Sequence, residues 1–395
     1  MKLFKSLLVA PATIGLLAPI SVFAGEASLN DISKYSNPEQ IDLANAFVNN
    51  EPIQNSLLAG GEGLVDSDSF DGGFSETTTA SFSADMYLGA VDGGSVTTDD
   101  AAMAGYSFQI DLNTTFTGED SLDISIDAGD SGAAGIAEFD GNSTSNVLTV
   151  DGVSYTFPIG AKTTAFVGDS TDGSLLFNTA CVYNGPSNTL DDCGNNYSAI
   201  NAGGGTAFGA SYDVGNGLNF AFGYTGEGGQ DGLMTKEGDD AFATQVAYTA
   251  ENYGVSVTYA DKENPTFTQD VTEATVWGFN GYFTPPSEGV PSISAGFEIG
   301  NGEIPALTPT NTDTSSWFVG LQWDELGPGT AGVAVGTKQH TVDNSAVDGE
   351  LLMYEAFYSY NVNDGMTVTP LIFVKEFPAG TTDETGLMVK TSFSF

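Results

Sequence analysis

The chain has 395 residues and a formal net charge of −43, with 52 Asp and Glu against 9 basic residues, all of them Lys. That balance excludes a basic surface for nucleic acid. Yet 41% of the residues are hydrophobic, with 26 Phe and 15 Tyr, which argues against a disordered acidic chain.

Met1 to Ala24 reads as a secretory signal peptide. Lys2 and Lys5 form its positive end, Leu7 to Ile20 its apolar stretch, and Val22-Phe-Ala24 its small-residue cleavage site. Pro11 and Pro19 interrupt the apolar run, which is short for a membrane helix. The mature chain then starts near Gly25, with 395 − 24 = 371 residues and a charge of 7 − 52 = −45. Residues 25–73 read as a short periplasmic arm. Pro38 suits the first turn of a helix, and Ile41, Ala44, Phe47 and Val48 line one side of it. The acidic run Asp66 to Gly72 has the look of a calcium loop, but Phe70 stands where the third ligand belongs, so it reads as a solvated linker. No metal and no cofactor is expected.

From residue 74 onward the pattern changes to a period of two, the mark of strands with one apolar and one polar face. Phe82, Ala84, Met86 and Leu88 alternate with Ser81, Ser83, Asp85 and Tyr87. Tyr106, Phe108, Ile110 and Leu112, then Leu122, Ile124, Ile126 and Ala128, repeat the design. Later runs follow it at 218–224, 253–259, 293–299, 317–323 and 352–358. Aromatic residues bracket many of these strands, as an interfacial girdle requires. The fourth and fifth strands, near Ser154–Ile159 and Lys162–Val167, are the least distinct, and a hairpin around Asp151-Gly152 is an alternative there.

The connections alternate in length. Short ones fall at Thr117–Asp120, Gly160–Ala161, Gly215–Gly217, Glu251–Asn252, Thr284–Val290, Asp324–Gly329 and Asn361–Gly365. Several carry the Asn, Asp and Gly that tight hairpins need. Long ones fall at Asp92–Met103, Gly129–Gly152, Gly168–Gly205, Gly226–Asp240, Asp261–Glu273, Gly300–Thr314, Lys338–Glu350 and Lys375–Thr385. Tight turns on one side and long loops on the other belong to an outer-membrane barrel. Seven turns and eight loops join 16 strands, enough to leave an aqueous lumen. The predicted fold is all-β: a transmembrane antiparallel barrel of about 16 strands over residues 74–395.

Three groups of residues carry functional expectations. If apolar faces meet lipid, Asp85, Asp111, Asp123, Asp127, Asp213, Glu298 and Glu355 point into the lumen, with Lys390 the clearest basic exception. Cys181 and Cys193 lie in the longest loop, and two cysteines in an exported chain are expected to pair. Such a bond either staples a surface loop or holds a segment in the lumen, and both readings stay open. The last strand, Leu387, Val389, Thr391, Phe393 and Phe395 on one face, ends on an aromatic residue and reads as a terminal assembly signal.

Three stretches add a resemblance. Asn113-Thr-Thr-Phe-Thr-Gly-Glu-Asp-Ser-Leu122 is similar to the strand–turn–strand motif of cyanobacterial outer-membrane porins, relatives of the OprB-type carbohydrate-selective porins. The segment Cys181 to Cys193, followed by Gly203-Gly-Gly-Thr206, resembles their cysteine loop, and Phe74 to Thr79 the approach to their first strand. The likeness covers residues 74–395. It implies passive diffusion of small solutes, ions or sugars. Such porins usually carry an S-layer-homology domain with an Asp-Trp-Ala core, whereas the first Trp here is Trp277, so wall anchoring by that domain is not expected.

The expected function is therefore a porin in the outer membrane, cation-preferring because acidic rings favour cations. The expected partners are outer-membrane lipid, the barrel-assembly machinery and two further copies of the chain in a homotrimer, the last by analogy of fold. An acidic secreted adhesin that binds calcium is the alternative, but it needs recurring Gly-Asp nonapeptides, and none is found. An enzyme is not expected: His340 is the only His, and it sits in a polar loop.

Overall fold

The computed structural model describes residues 77–94, 101–131, 138, 141–190, 193–195, 204–228, 232–235, 238–263, 273–287, 289–303, 311–338, 340–342, 350–378 and 381–394. The expected signal peptide, the expected arm and Phe395 lie outside these residues. Among the described residues no helix is long and apolar enough to cross a membrane, which says nothing about strands.

Seventeen strands follow in chain order: β1 Thr78–Asp92, β2 Met103–Thr114, β3 Ser121–Gly129, β4 Thr149–Ile159, β5 Thr163–Asp172, β6 Gly204–Gly215, β7 Leu218–Gly226, β8 Asp240–Thr249 and β9 Tyr253–Glu263; then β10 Glu273–Phe283, β11 Ser292–Glu303, β12 Asn311–Leu326, β13 Gly329–Thr337, β14 His340–Thr341, β15 Leu352–Asn363, β16 Met366–Lys375 and β17 Glu384–Ser394. Each wall strand pairs antiparallel with its sequence neighbour, and β1 closes the ring on β17 through Ser83↔Ser394 to Asp92↔Thr385. The two-residue β14 only extends the pairing of β12. The wall thus has 16 strands and no free edge, so every ladder group is satisfied within the barrel.

The period-two pattern sets which side chain faces where. On β8, Phe242, Thr244 and Val246 are exposed while Ala241, Ala243, Gln245 and Ala247 are buried. On β9, Tyr253, Val255 and Val257 are exposed while Ser256, Thr258 and Ala260 are buried. Trp277, Phe279, Ile293, Phe297, Ile299 and Ile372 continue the exposed apolar belt around the outside. That inversion, apolar out and small or polar in, is the design of a barrel whose solvent is lipid.

Several strand bounds differ from the sequence reading, and β5 runs on to Asp172 rather than ending near Val167. β4 starts at Thr149 rather than near Ser154, because the extra residue around Asp151 is absorbed as a bulge opposite Ser125/Ile126. The Gly300–Thr314 connection is mostly strand, since β11 and β12 pair out to Glu303↔Asn311.

Candidate functional site

The barrel interior is asymmetric. One side is lined by the polar faces of β1 to β3. Asp85 accepts a hydrogen bond from the Tyr87 hydroxyl at 3.4 Å. Asp111 accepts from Gln109 Nε2 and from Ser125 Oγ, both at 2.7 Å. Asp123 accepts from Asn113 Nδ2 at 2.6 Å and Ser121 Oγ at 2.8 Å. The register places Asp111 opposite Ser125 and Asp123 opposite Asn113, so these carboxylates share the inner face. Asp85, Asp111 and Asp123 keep partial exposure. Lys390 shares the inner face of β17, opposite Tyr87.

Three other acids do not face open water, which corrects the simple rule that every intervening residue does. Asp127 is 3% exposed and takes a hydrogen bond from Thr149. Glu298 is 0% exposed and Glu355 3%. Asp213 lies on the inner parity of β6 but at its end, exposed, with its carboxylate accepting from the Gly215 amide of the adjoining turn.

The reason Glu355 is buried is the segment after β5. It does not stay outside the barrel. Phe177 packs against Ala241, Ala243, Ala260 and Val276, an inner-wall patch of small side chains on β8 to β10. The chain then crosses the inner wall strand by strand. Gln245 of β8 donates to Thr179 Oγ1 at 2.9 Å, and the Ala180 amide donates to Ser256 of β9 at 2.9 Å. The amides of Val182 and Tyr183 donate to Ser294 of β11, and that of Asn184 to Gln322 of β12. Finally the Tyr183 hydroxyl donates to Glu355 of β15 at 2.7 Å, with Ser187 donating to its other oxygen. Burial and the Glu355 carboxylate hold the Tyr183 phenol far above its ordinary range, so it stays a donor.

The chain then turns back. Cys193 carbonyl accepts from Asn280 Nδ2 at 3.1 Å, Gly194 carbonyl accepts from Ser316 Oγ, and Asn195 reaches Asn280. A Cys181–Cys193 disulfide joins the outward and return legs. The loop therefore lies flat on the inner wall. The loop thus spans the inner wall from β8 to β15.

Apolar contacts hold it there. Tyr183, Leu190 and Cys193 form one buried cluster with Tyr87, Val91, Phe318, Met353, Phe357, Leu371, Phe373 and Met388. The β3–β4 connection joins in: the Asn142 amide donates to Ser107, and Glu138 pairs with Lys375 and accepts from Thr189 Oγ1. Sequence reasoning missed this inner core. Its signal was Pro370-Leu-Ile-Phe-Val374, an unbroken apolar run that requires both strand faces to be covered.

At the opposite end, Asp120 organises the β2–β3 turn. It accepts from Thr115 Oγ1, the amides of Phe116 and Thr117, Thr117 Oγ1 and Tyr155. The Tyr155 hydrogen bond, foremost, holds its carboxyl well below the usual range against some desolvation. His340 sits at the loop-side rim with Nε2 3.3 Å from Ser315 Oγ and Nδ1 3.2 Å from the Lys338 carbonyl. Phe393 takes the outer parity of β17, between Ala84 and Met366.

No family model matches the chain, and no curated protein matches it in sequence. Solved structures do match in fold. An anion-selective porin from Comamonas acidovorans aligns with TM-score 0.58 at 12% identity, covering 81% of this chain and 99% of the other. Pseudomonas putida OprB gives 0.58 and 12% over 81% and 94%, and Salmonella typhi OmpF 0.56 and 13% over 80% and 97%. At these identities the likeness concerns the fold: a closed 16-strand antiparallel barrel of the kind seen in outer-membrane porins.

Proposed function

We propose that the chain is an outer-membrane porin through which small hydrophilic solutes, inorganic ions and small sugars, diffuse passively with a preference for cations. The observation that carries the reading is the paired surfaces of one closed barrel, an apolar belt outside and a polar inner face on β1 to β3 bearing Asp85, Asp111 and Asp123. The similar folds include an anion-selective channel, so charge sign on this chain, not the fold, decides preference. In this reading residues 1–24 direct export and are cleaved, 25–73 form the periplasmic arm, Phe393 and Phe395 are read by the assembly machinery, and three copies associate in the membrane. His340 is a rim contact rather than a catalytic base.

The test is the reversal potential of the purified protein in a planar bilayer under a KCl gradient. A cation-selective sign is expected at low salt, weakening as salt rises because the Debye length is about 10 Å at 0.1 M and about 3 Å at 1 M. Replacing Asp111 and Asp123 with Asn should lower selectivity more than replacing the rim acids Asp239 and Asp240. An anion-selective sign overturns the reading, and equal effects of the two pairs overturn the choice of residues.

A further inference from the structure

The disulfide joins two stretches that the wall holds very unequally. The outward leg is tied to β8, β9, β11, β12 and β15 through Thr179, Ala180, Val182, Tyr183, Asn184 and Ser187. The described return leg, residues 193–195, has fewer ties: hydrogen bonds with the side chains of Asn280 and Ser316, the bond to the Cys181 sulfur and the packing of Cys193 in the buried cluster. It is also seated as low as backbone can be. Gly296 of β11 has no side chain, and the Cys193 carbonyl fills the place where one would stand. From that seat the return leg cannot move closer to the wall, so a movement off it carries the leg into the lumen.

We propose that the Cys181–Cys193 bond is a thiol-sensitive clip, so that low-mass thiols entering the lumen shift the pore to a narrower, noisier state. The inference rests on the porin reading, which is what admits such thiols. Cys193 is buried and Cys181 only partly so, which makes the Cys181 sulfur the point of attack. A thiolate attacks Cys181 Sγ and forms a mixed disulfide, while Cys193 leaves as a thiolate and takes a proton. A second thiol then attacks the mixed disulfide, freeing Cys181 as a thiol. Two thiols are oxidised to one external disulfide, and the protein bond gains the two electrons and two protons. The return leg then keeps its hydrogen bonds to Asn280 and Ser316 and the packing of Cys193, but loses its covalent tie to the outward leg. An uncharged reductant suits the site, since the acidic lumen repels anionic thiols.

The experiment is single-channel recording of the purified full chain before and after dithiothreitol, with alkylation and mass measurement to score reduction. The expected result is a lower mean conductance, by roughly a fifth or more, and a several-fold rise in open-channel noise, both reversed by reoxidation. A Cys181→Ser, Cys193→Ser double variant, checked for heat-modifiable migration as a folded barrel, should show the reduced behaviour from the outset and ignore dithiothreitol. Full reduction without change in conductance or noise overturns the proposal. So does a rise in conductance, which would mean the leg moves away from the axis, or a bond that resists reduction in the folded barrel. Failure to form any channel would refute the porin reading itself, and so is distinguishable from failure of the clip.

Discussion

The seating of the loop on Gly296 makes a sharp prediction about a single added carbon. An alanine Cβ at 296 would stand 2.8 Å from both Asn280 Nδ2 and the Cys193 carbonyl carbon, and nearer still to that carbonyl's oxygen. Side-chain carbons do not tolerate neighbours within 3.0 Å, so the Cys193 carbonyl must leave. Its hydrogen bond from Asn280 goes with it, and the adjacent Gly194 carbonyl loses register with Ser316. Buried partners left unmade cost about 1–3 kcal/mol each, which puts the unseating of the return leg at roughly 2–6 kcal/mol. The wall itself should not suffer, because Ala in a strand is favoured over Gly by about 0.5–1 kcal/mol. Gly296→Ala is therefore expected to insert and resist detergent like the parent while its conductance falls and its loop becomes open to protease. Gly281→Ala is the control. That glycine faces outward on β10, and a Cβ there meets Gly254 carbonyl at 3.5 Å and Val255 at 3.7 Å, ordinary contacts. If Gly296→Ala and Gly281→Ala give equal conductance and equal protease resistance, the loop is not seated as described.

Three further predictions concern other parts of the barrel. Asp120 takes five hydrogen bonds at its turn, and its folded pKa is depressed below the unfolded value of about 3.9. Its contribution is thus present above about pH 4 and lost as pH falls through the folded value. The urea midpoint of Asp120→Asn should lie below the parent's at pH 7, with the gap narrowing progressively as pH falls below about 4; a gap constant with pH would contradict the assignment. Glu355→Leu leaves the buried Tyr183 hydroxyl and Ser187 without their acceptor and should loosen the loop by about 2–6 kcal/mol, read as increased protease cleavage after Tyr183, whereas Glu355→Gln should cost less than half of that. Finally, deleting Phe395 or replacing it with Asp should sharply reduce folded barrel in the outer-membrane fraction, and wild-type amounts there would refute the assembly role.

Much of the wall could be read from the chain because a strand reports its own two faces. The alternation at Tyr253, Val255, Val257 and Tyr259 says which side is apolar, and the connection lengths say which end is which. With a closed ring, those two facts determine inside and outside together. The same period cannot say what lies against the inner face. Glu355 and Asp111 occupy equivalent parities, and nothing local separates them. One is capped by Tyr183 from a segment 172 residues away in sequence, while the other meets only its neighbours on β2 and β3. That difference is a long-range contact, so it was beyond a local reading.

Signals of the loop were present in a weaker form. The apolar run Leu371 to Val374 and the inward Met353, Phe357 and Met388 are wrong for a water-filled face, and they mark the strip that Tyr183 and Leu190 cover. Gly296 stands on the inner face of β11, between Ser294 and Glu298, at the level where the return leg crosses. Burying a carboxylate such as Glu355 is costly unless it is hydrogen-bonded, and the two donors that satisfy it both come from the disulfide loop. Glu355 fastens the loop and is covered by it, whereas Asp85, Asp111 and Asp123 keep partial exposure on the inner face of β1 to β3 and are the acids expected to set selectivity if the chain is the proposed porin.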